Sequence, residues 1–153
     1  RRISETSTIV SVDCVGPFDA ASGAMLEVPH RVRCVGPDGL VEALSRAALV
    51  VCGAGVTALE AASLGVPSVL VTVADNQVPG ACAIDAAGAG RYLGNLETVR
   101  GKIPLAVAEL VRDAAQLATM SANACALVDG QGAARVADVI EDELRQRGPR
   151  PGD

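Results

Sequence analysis

Tryptophan is absent from this sequence, and tyrosine, phenylalanine and histidine occur once each, as Tyr92, Phe18 and His30. A core must therefore be assembled from alanine, valine, leucine and isoleucine, and half of the residues are apolar. Small aliphatic side chains suit helices packed closely on a parallel sheet. The lone histidine sits beside Pro29 at the edge of a strand-like run. No serine, cysteine or acid stands at a spacing that would make it catalytic, so a loop or strand-edge role is expected and no catalytic residue is named.

Other absences exclude whole classes of function. Basic residues are in deficit, with 13 Lys and Arg against 18 Asp and Glu, a net charge of −5. A nucleic-acid-binding face is not expected. No apolar run approaches the roughly 20 residues of a membrane span. Of the five cysteines (Cys14, Cys34, Cys52, Cys82 and Cys125), no two stand two to four residues apart, so zinc-ligand spacing is missing. Reduced, buried thiols in a cytoplasmic protein are expected, with no metal and no cofactor. The first residue is Arg1 and nothing there reads as a signal peptide, which suits an excised domain or a processed product. A chain of 153 residues fits one domain, expected over 1–146, with a flexible tail over 147–153 containing Pro149, Pro151 and Gly152.

What is present alternates. Thr8 to Val12 reads as a strand, ended by Gly16 and Pro17, and Phe18 to Glu27 as a short helix. Arg31 to Val35 reads as a strand near the sheet edge, followed by a turn at Gly36-Pro37 and a helix with Asp38 as its N-cap. Leu49 to Cys52 and Ser68 to Val73 are buried strands. Helices are expected over Thr57–Leu64, closed by Gly65, and Pro79–Ala87, ended by Gly88. Asp75-Asn76-Gln77 is a polar loop, and Arg91-Tyr92-Leu93 a short last strand. Ile103 to Val128 holds two helices, and Ala133, Val136, Ile140 and Leu144 form the apolar stripe of a closing helix. The sum is a three-layer, Rossmann-like α/β domain with a mainly parallel sheet.

The chemistry concentrates after the strand at Leu49–Cys52. Gly53-Ala54-Gly55 leads straight into a helix beginning Val56-Thr57. Glycines let backbone approach a ligand, and a helix N-terminus offers unpaired N–H groups and a positive dipole end, so a phosphate or diphosphate fits. A purely structural explanation also exists. Thr57-Ala58-Leu59-Glu60 satisfies a capping box, with Thr57 as N-cap and Glu60 three residues on. A dinucleotide-binding reading competes as well, because Gly53-Ala54-Gly55-Val56-Thr57-Ala58 satisfies G-x-G-x-x-A and Asp75 lies downstream at the end of the next strand. That fingerprint normally opens its domain, whereas about two strand units precede it here.

The longer string is more specific. Ala48 to Glu60, then Ala61-Ala62-Ser63-Leu64-Gly65-Val66-Pro67 and Asp75-Asn76-Gln77, resembles the C-terminal donor domain of the GT-B superfamily. The resemblance runs from about Arg31 to about Leu144. It is closest to the UDP-sugar hydrolase of pseudaminic acid biosynthesis and its spore-coat polysaccharide relatives, which Met120 to Ala124 and Asp129 to Val136 also resemble. The N-acetylglucosaminyltransferase that makes the lipid-linked peptidoglycan precursor is similar but more distant.

The resemblance implies a UDP-sugar-binding half of a hydrolase or glycosyltransferase. Its diphosphate would be held by Gly53, Ala54, Gly55, Val56 and Thr57, its ribose by Glu60, and its sugar or phosphates by Asn76 and Gln77. Val35 to Leu40 would frame the uracil. An N-terminal GT-B domain would be the partner, in cis or in trans, the latter making this chain the donor subunit of a two-chain transferase. The catalytic histidine of the hydrolase group belongs to that other domain, and His30 does not match it. The segment Asp13-Cys14-Val15-Gly16 stands where a glycine pair is expected, so the N-terminal part is about one strand–helix unit short. An NAD(P)-binding domain and a non-catalytic binding module remain the alternatives.

Overall fold

A computed structural model describes residues 11–16 and 32–147. The expected helix over Phe18–Glu27, His30 and the end of the tail lie outside the described residues. The described chain runs β1 (Val12–Val15), β2 (Val32–Val35), a 3-10 turn at Pro37–Gly39, α1 (Leu40–Arg46), β3 (Val50–Gly53) and α2 (Val56–Ser63). It continues through β4 (Ser68–Thr72), a 3-10 turn at Asp75–Gln77, α3 (Val78–Ala86), β5 (Gly90–Asn95) and α4 (Leu96–Val99). A 3-10 turn at Arg100–Lys102 leads to α5 (Ile103–Leu110), α6 (Ala114–Leu127) and α7 (Gly132–Arg147).

Every described strand pair is parallel, and the α/β Rossmann-like architecture expected from the sequence is what the chain adopts. β3, β4 and β5 form one sheet in that order, and β1 and β2 form another. β4 is central and buried along its whole length, with the aliphatic run Val69-Leu70-Val71 at its centre. Leu70 faces one layer, packed with Ala58 and Ala62 of α2 and Ala81 and Ile84 of α3. Val69 faces the other, packed with Ala106 and Leu110 of α5 and Met120 of α6. Full burial of such side chains contributes about 1.5–3 kcal/mol each. Alanines at the first interface let α2 and α3 approach the sheet closely, which is where the shortage of aromatics leads. The one tyrosine lies at this edge, with its hydroxyl 3.0 Å from the buried hydroxyl of Thr72.

Two glycine stops work as expected. Gly65 and Gly88 adopt φ of 69° and 66°. Each sits past a helix end whose carbonyls are closed by paired backbone bonds, Val66 N–H to Ala61 and Gly65 N–H to Ala62, then Ala89 N–H to Ile84 and Gly88 N–H to Asp85.

Other boundaries differ from the sequence reading. β1 lies at Val12–Val15, whereas residues 8–10 of the expected strand Thr8–Val12 lie outside the described residues, and its extension past Val12 places Asp13 inside a strand. Its carboxylate meets Arg33 of the neighbouring strand at 2.7 Å and Arg46 of α1 at 3.5 Å. Asp38 is not an N-cap. It lies within the 3-10 turn, and Gly39 takes the cap position without a side-chain bond. A Cβ on Gly39 would run into the Cγ1 methyl of Val35, so a side chain at this tight return would force Val35 to shift. α7 is helical as expected, but its stripe is solvent-exposed, with Val136 60% and Leu144 66% accessible. Among the described residues no helix is long and apolar enough to cross a membrane.

Candidate functional site

The loop after β3 is built by the strand and helix that flank it. Ala54 prolongs the pairing with β4, its N–H donating to Val71 O at 2.9 Å. The chain then turns sharply, Gly55 N–H donating to Gly53 O at 2.8 Å, and α2 begins at once. Gly55 is its N-cap, with φ −114° and ψ −148° and no capping side chain. Ala58 N–H bonds Gly55 O at 3.1 Å, and no partner for the N–H groups of Val56 or Thr57 occurs among the described residues. Unpaired N–H groups at the positive end of a helix dipole make an anion-binding surface.

This geometry corrects the capping-box reading. Val56 is the first helical residue, so Thr57 is the second and Glu60 the fifth. The sequence pattern is satisfied, but its register is wrong, because the glycine turn brings the helix start forward. Thr57 and Glu60 are thus left without the structural task that would explain them. The Glu60 side chain is half-buried and makes no hydrogen bond or ion pair among the described residues. Val56 lies one turn before it on the same helical face and is 72% exposed.

The loop after β4 meets this turn. Gln77 closes the 3-10 turn at Asp75–Gln77, replacing the irregular loop expected there. Its side-chain oxygen accepts from Val73 N–H at 2.9 Å. Its Nε2 stands 3.8 Å from where a Cβ on Gly55 would be. Oxygen is therefore committed to the chain's own backbone, and the amide hydrogens face the glycine turn. The Asn76 side chain is exposed beside it and makes no hydrogen bond among the described residues. The space above Gly53 is open, with nothing within 4 Å of its Cβ position. The structure thus brings Gly53, Ala54, Gly55, Val56, Thr57 and Gln77 into one region at the carboxyl ends of β3 and β4. Glu60 and Asn76 lie on the flanking elements.

Cys52, the last side chain before the loop, is not a nucleophile. Burial pushes its thiol up to about 11. Among the described residues no group of three His, Cys, Asp or Glu is placed to hold a metal ion. Val35, Gly36 and Gly39 line a hollow of about 310 Å³ with Arg33, Glu42 and Arg46. The charges around it are balanced, since Arg33 pairs with Asp13, and Arg46 pairs with Asp13 and Glu42. A second hollow of about 320 Å³, lined by Asp85, Arg91 and Asn123 among others, lies at the start of β5. Ligands of open α/β sheets bind at the opposite, carboxyl end.

Comparison with known proteins agrees with this architecture. Residues 38–142 match the glycosyltransferase family 28 C-terminal domain. The UDP-N-acetylglucosamine–N-acetylmuramyl-(pentapeptide) pyrophosphoryl-undecaprenol N-acetylglucosamine transferase of Clavibacter sepedonicus is 33% identical over 127 residues, covering 80% of this chain and 35% of the relative. Its counterpart in Clavibacter michiganensis subsp. michiganensis is 34% identical over the same length and coverage. The crystal structure of Acinetobacter baumannii MurG superposes with a TM-score of 0.69 at 20% identity, covering 92% of this chain and 44% of that one. The chain spans about a third of the length of these curated relatives. They are named as transferases, which supports the GT-B C-terminal-domain resemblance and does not support the finer placement in the hydrolase group. The chain belongs to the glycosyltransferase family 28 C-terminal domain family.

Proposed function

We propose that this domain binds the UDP-sugar donor of a glycosyltransferase, with UDP-N-acetylglucosamine as the donor named by its relatives. The observation that carries the reading is the uncapped start of α2 facing the amide of Gln77 across Gly55. In this reading the unpaired backbone N–H groups of Val56 and Thr57 hold the diphosphate, with Gly53, Ala54 and Gly55 giving it close approach to the helix head. Glu60 accepts from the vicinal ribose hydroxyls, a task for which a carboxylate offers two acceptor oxygens. Gln77 and Asn76 meet the phosphates or the sugar, and the β2–α1 return at Val35–Leu40 frames the base.

The chemistry of such a site is leaving-group stabilisation. When the bond between the anomeric carbon and the diphosphate breaks, negative charge grows on the diphosphate, and preorganised N–H donors at a helix end stabilise it. The acceptor and the proton-accepting group come from the N-terminal GT-B half. Hydrolysis, with water in place of the acceptor, is the second reading, which the sequence resemblance favours and the relatives' transferase activity does not. Dinucleotide binding has less support, because Asp75 lies on an exposed turn and two strands precede the glycine loop.

Calorimetry with UDP, UDP-N-acetylglucosamine and NAD tests the proposal. Binding of both uridine ligands without NAD is expected. NAD binding without UDP binding would overturn it. Glu60→Gln should weaken UDP binding about tenfold, the loss of roughly 1.4 kcal/mol from a charged acceptor. With Glu60 at the fifth helical position, the melting temperature should hold.

A further inference from the structure

Among the described residues, one pair of cysteines stands opposite across a sheet. Cys14 lies in β1 and Cys34 in β2, and the parallel register makes them direct partners. Cys52 has Leu70 as its partner, and Cys82 and Cys125 lie on α3 and α6. The spacing of Cys14 and Cys34 along the sequence suggests no pair; the register creates it. Partners across a parallel pair share a face, because side chains alternate in step along both strands. Arg33 and Val35 line the hollow with Glu42 and Arg46 of α1, and Asp13 meets Arg33. Those residues mark one face. Cys14 and Cys34 alternate onto the other, clear of the ion pairs among Asp13, Arg33 and Arg46.

Strand geometry puts this pair within bridging range. Neighbouring strands lie about 4.8 Å apart, and equivalent atoms of parallel register partners are separated by about that distance. A disulfide spans Cα atoms about 4.4–6.8 Å apart, so the backbone suits one as it stands. The Cβ atoms of a disulfide are closer, at about 3.5–4.5 Å, so closure draws the two strands slightly together. A bond that carries such strain is readily reduced again, which makes it reversible rather than a permanent staple. Cys14 is half-buried, and a small reagent can reach it.

The position of the pair gives closure a consequence. Val15 and Val35 end β1 and β2, each one residue beyond its cysteine, and Gly16 N–H donates to Val35 O at 3.1 Å. Val35 begins the return to α1, the segment that the donor reading gives to the base. Gly39 has no slack against the Cγ1 methyl of Val35. Movement of the end of β2 is therefore passed on to the return.

We propose that Cys14 and Cys34 are a dithiol site that closes reversibly to a disulfide by exchange with oxidised glutathione, and that closure weakens UDP binding. One cysteine thiolate attacks a sulfur of oxidised glutathione, whose S–S bond breaks and releases one glutathione thiolate. The other cysteine thiolate attacks the protein sulfur of this mixed disulfide and releases the second glutathione. Two protein thiols are oxidised, one glutathione disulfide is reduced to two thiols, and the two protons pass to the leaving thiolates. The effect on UDP rests on the donor reading, whereas the disulfide rests on the register alone.

Peptide mapping after exchange tests the proposal. The reduced protein is incubated with oxidised glutathione, remaining thiols are blocked with iodoacetamide, and tryptic peptides are identified by mass. Peptides joined through Cys14 and Cys34 are expected at about ten times the yield found in denaturant, since the register raises the effective concentration of one thiol at the other. Dithiothreitol should separate them, and Cys14→Ser should abolish them. Separate glutathiones on Cys14 and Cys34, two unreacted thiols, or a bond from either to another cysteine would overturn the proposal. UDP titration of the oxidised and reduced forms is run on the Cys82→Ser, Cys125→Ser double variant, so that the exposed thiols take no part. Affinity should fall about threefold to tenfold on closure, as in a site displaced by a fraction of an ångström, and recover with dithiothreitol. Equal affinity of the two forms would overturn the coupling. Failure of both forms to bind UDP would count against the donor reading and leave the mapped disulfide standing.

Discussion

The carbonyl oxygen of the Gln77 side chain accepts a 2.9 Å hydrogen bond from the backbone N–H of Val73. Four residues apart, these two groups close the loop after β4 on itself and fix which end of the amide faces outward. The outward end is a donor, and it stands over Gly55 at the head of α2. Gln77→Glu keeps the acceptor towards Val73, removes the donor and adds a negative charge beside the diphosphate position. UDP affinity should fall by tenfold to a hundredfold, on the order of 1.5–3 kcal/mol for a hydrogen bond to a charged partner. Calorimetry on the variant checks this, and an unchanged affinity would remove Gln77 from the site.

Gly55→Ala separates backbone need from ligand need. Its φ of −114° is open to any residue, and the added Cβ would meet nothing closer than Gln77 Nε2 at 3.8 Å. The folded chain should accept the methyl, with a melting temperature within about 2 °C of the parent, since substitutions that break no contact lie within about 0.5 kcal/mol. UDP binding should weaken, because the methyl occupies the approach to the N–H groups of Val56 and Thr57. A variant that melts far lower but binds as before would make Gly55 a folding residue only.

Cys52 provides a chemical check on the core beside the loop. A thiol raised to about 11 by burial carries almost no thiolate at pH 8. Iodoacetamide at that pH should modify the exposed Cys82 and Cys125 and spare Cys52 in the native chain. Rapid labelling of Cys52 would mean that the sheet opens at β3.

Asp129, at the turn before α7, is held at about 2 by the hydrogen bond from Arg135, with help from Gln131 N–H. Its folded value lies below the ordinary carboxylate value. Its contribution to stability is therefore present above about pH 3.8 and disappears as the pH falls through about 2. Carboxyl NMR titration should find this low value, and Arg135→Ala should return it towards 3.8. Because both groups are exposed, the melting temperature at pH 7 should hardly move.

Much of the fold and of the candidate site is legible in particular residues, and the misreadings share a cause. β4 is readable because its centre, Val69-Leu70-Val71, is an aliphatic run such as a strand buried on both faces requires. Gly65 and Gly88 are readable as helix stops because only glycine adopts their backbone without strain. The start of α2 is misread because a Thr-x-x-Glu pattern describes a capping box only when the turn before it puts Thr57 at the cap. Gly53-Ala54-Gly55 turns earlier than the pattern assumes. A real cap goes unread at Asp113, whose carboxylate accepts from Gln116 N–H at 2.8 Å and starts α6. The Asp-x-x-Gln spacing was the available signal. Asn95 likewise caps the short α4 through Glu97 N–H. In α7 the period is read correctly, but a period names a face and not what covers it, and the face is bare.

The central claim is that the head of α2 is a diphosphate site of a nucleotide-sugar donor domain. A backbone-amide NMR titration of the protein with UDP tests it most directly. The account predicts saturable shifts concentrated at Gly55, Val56 and Thr57 and at the Gln77 side-chain amide, and none on adding NAD at the same concentration. Saturable UDP shifts confined to other residues, with Gly55 to Thr57 silent, would contradict it.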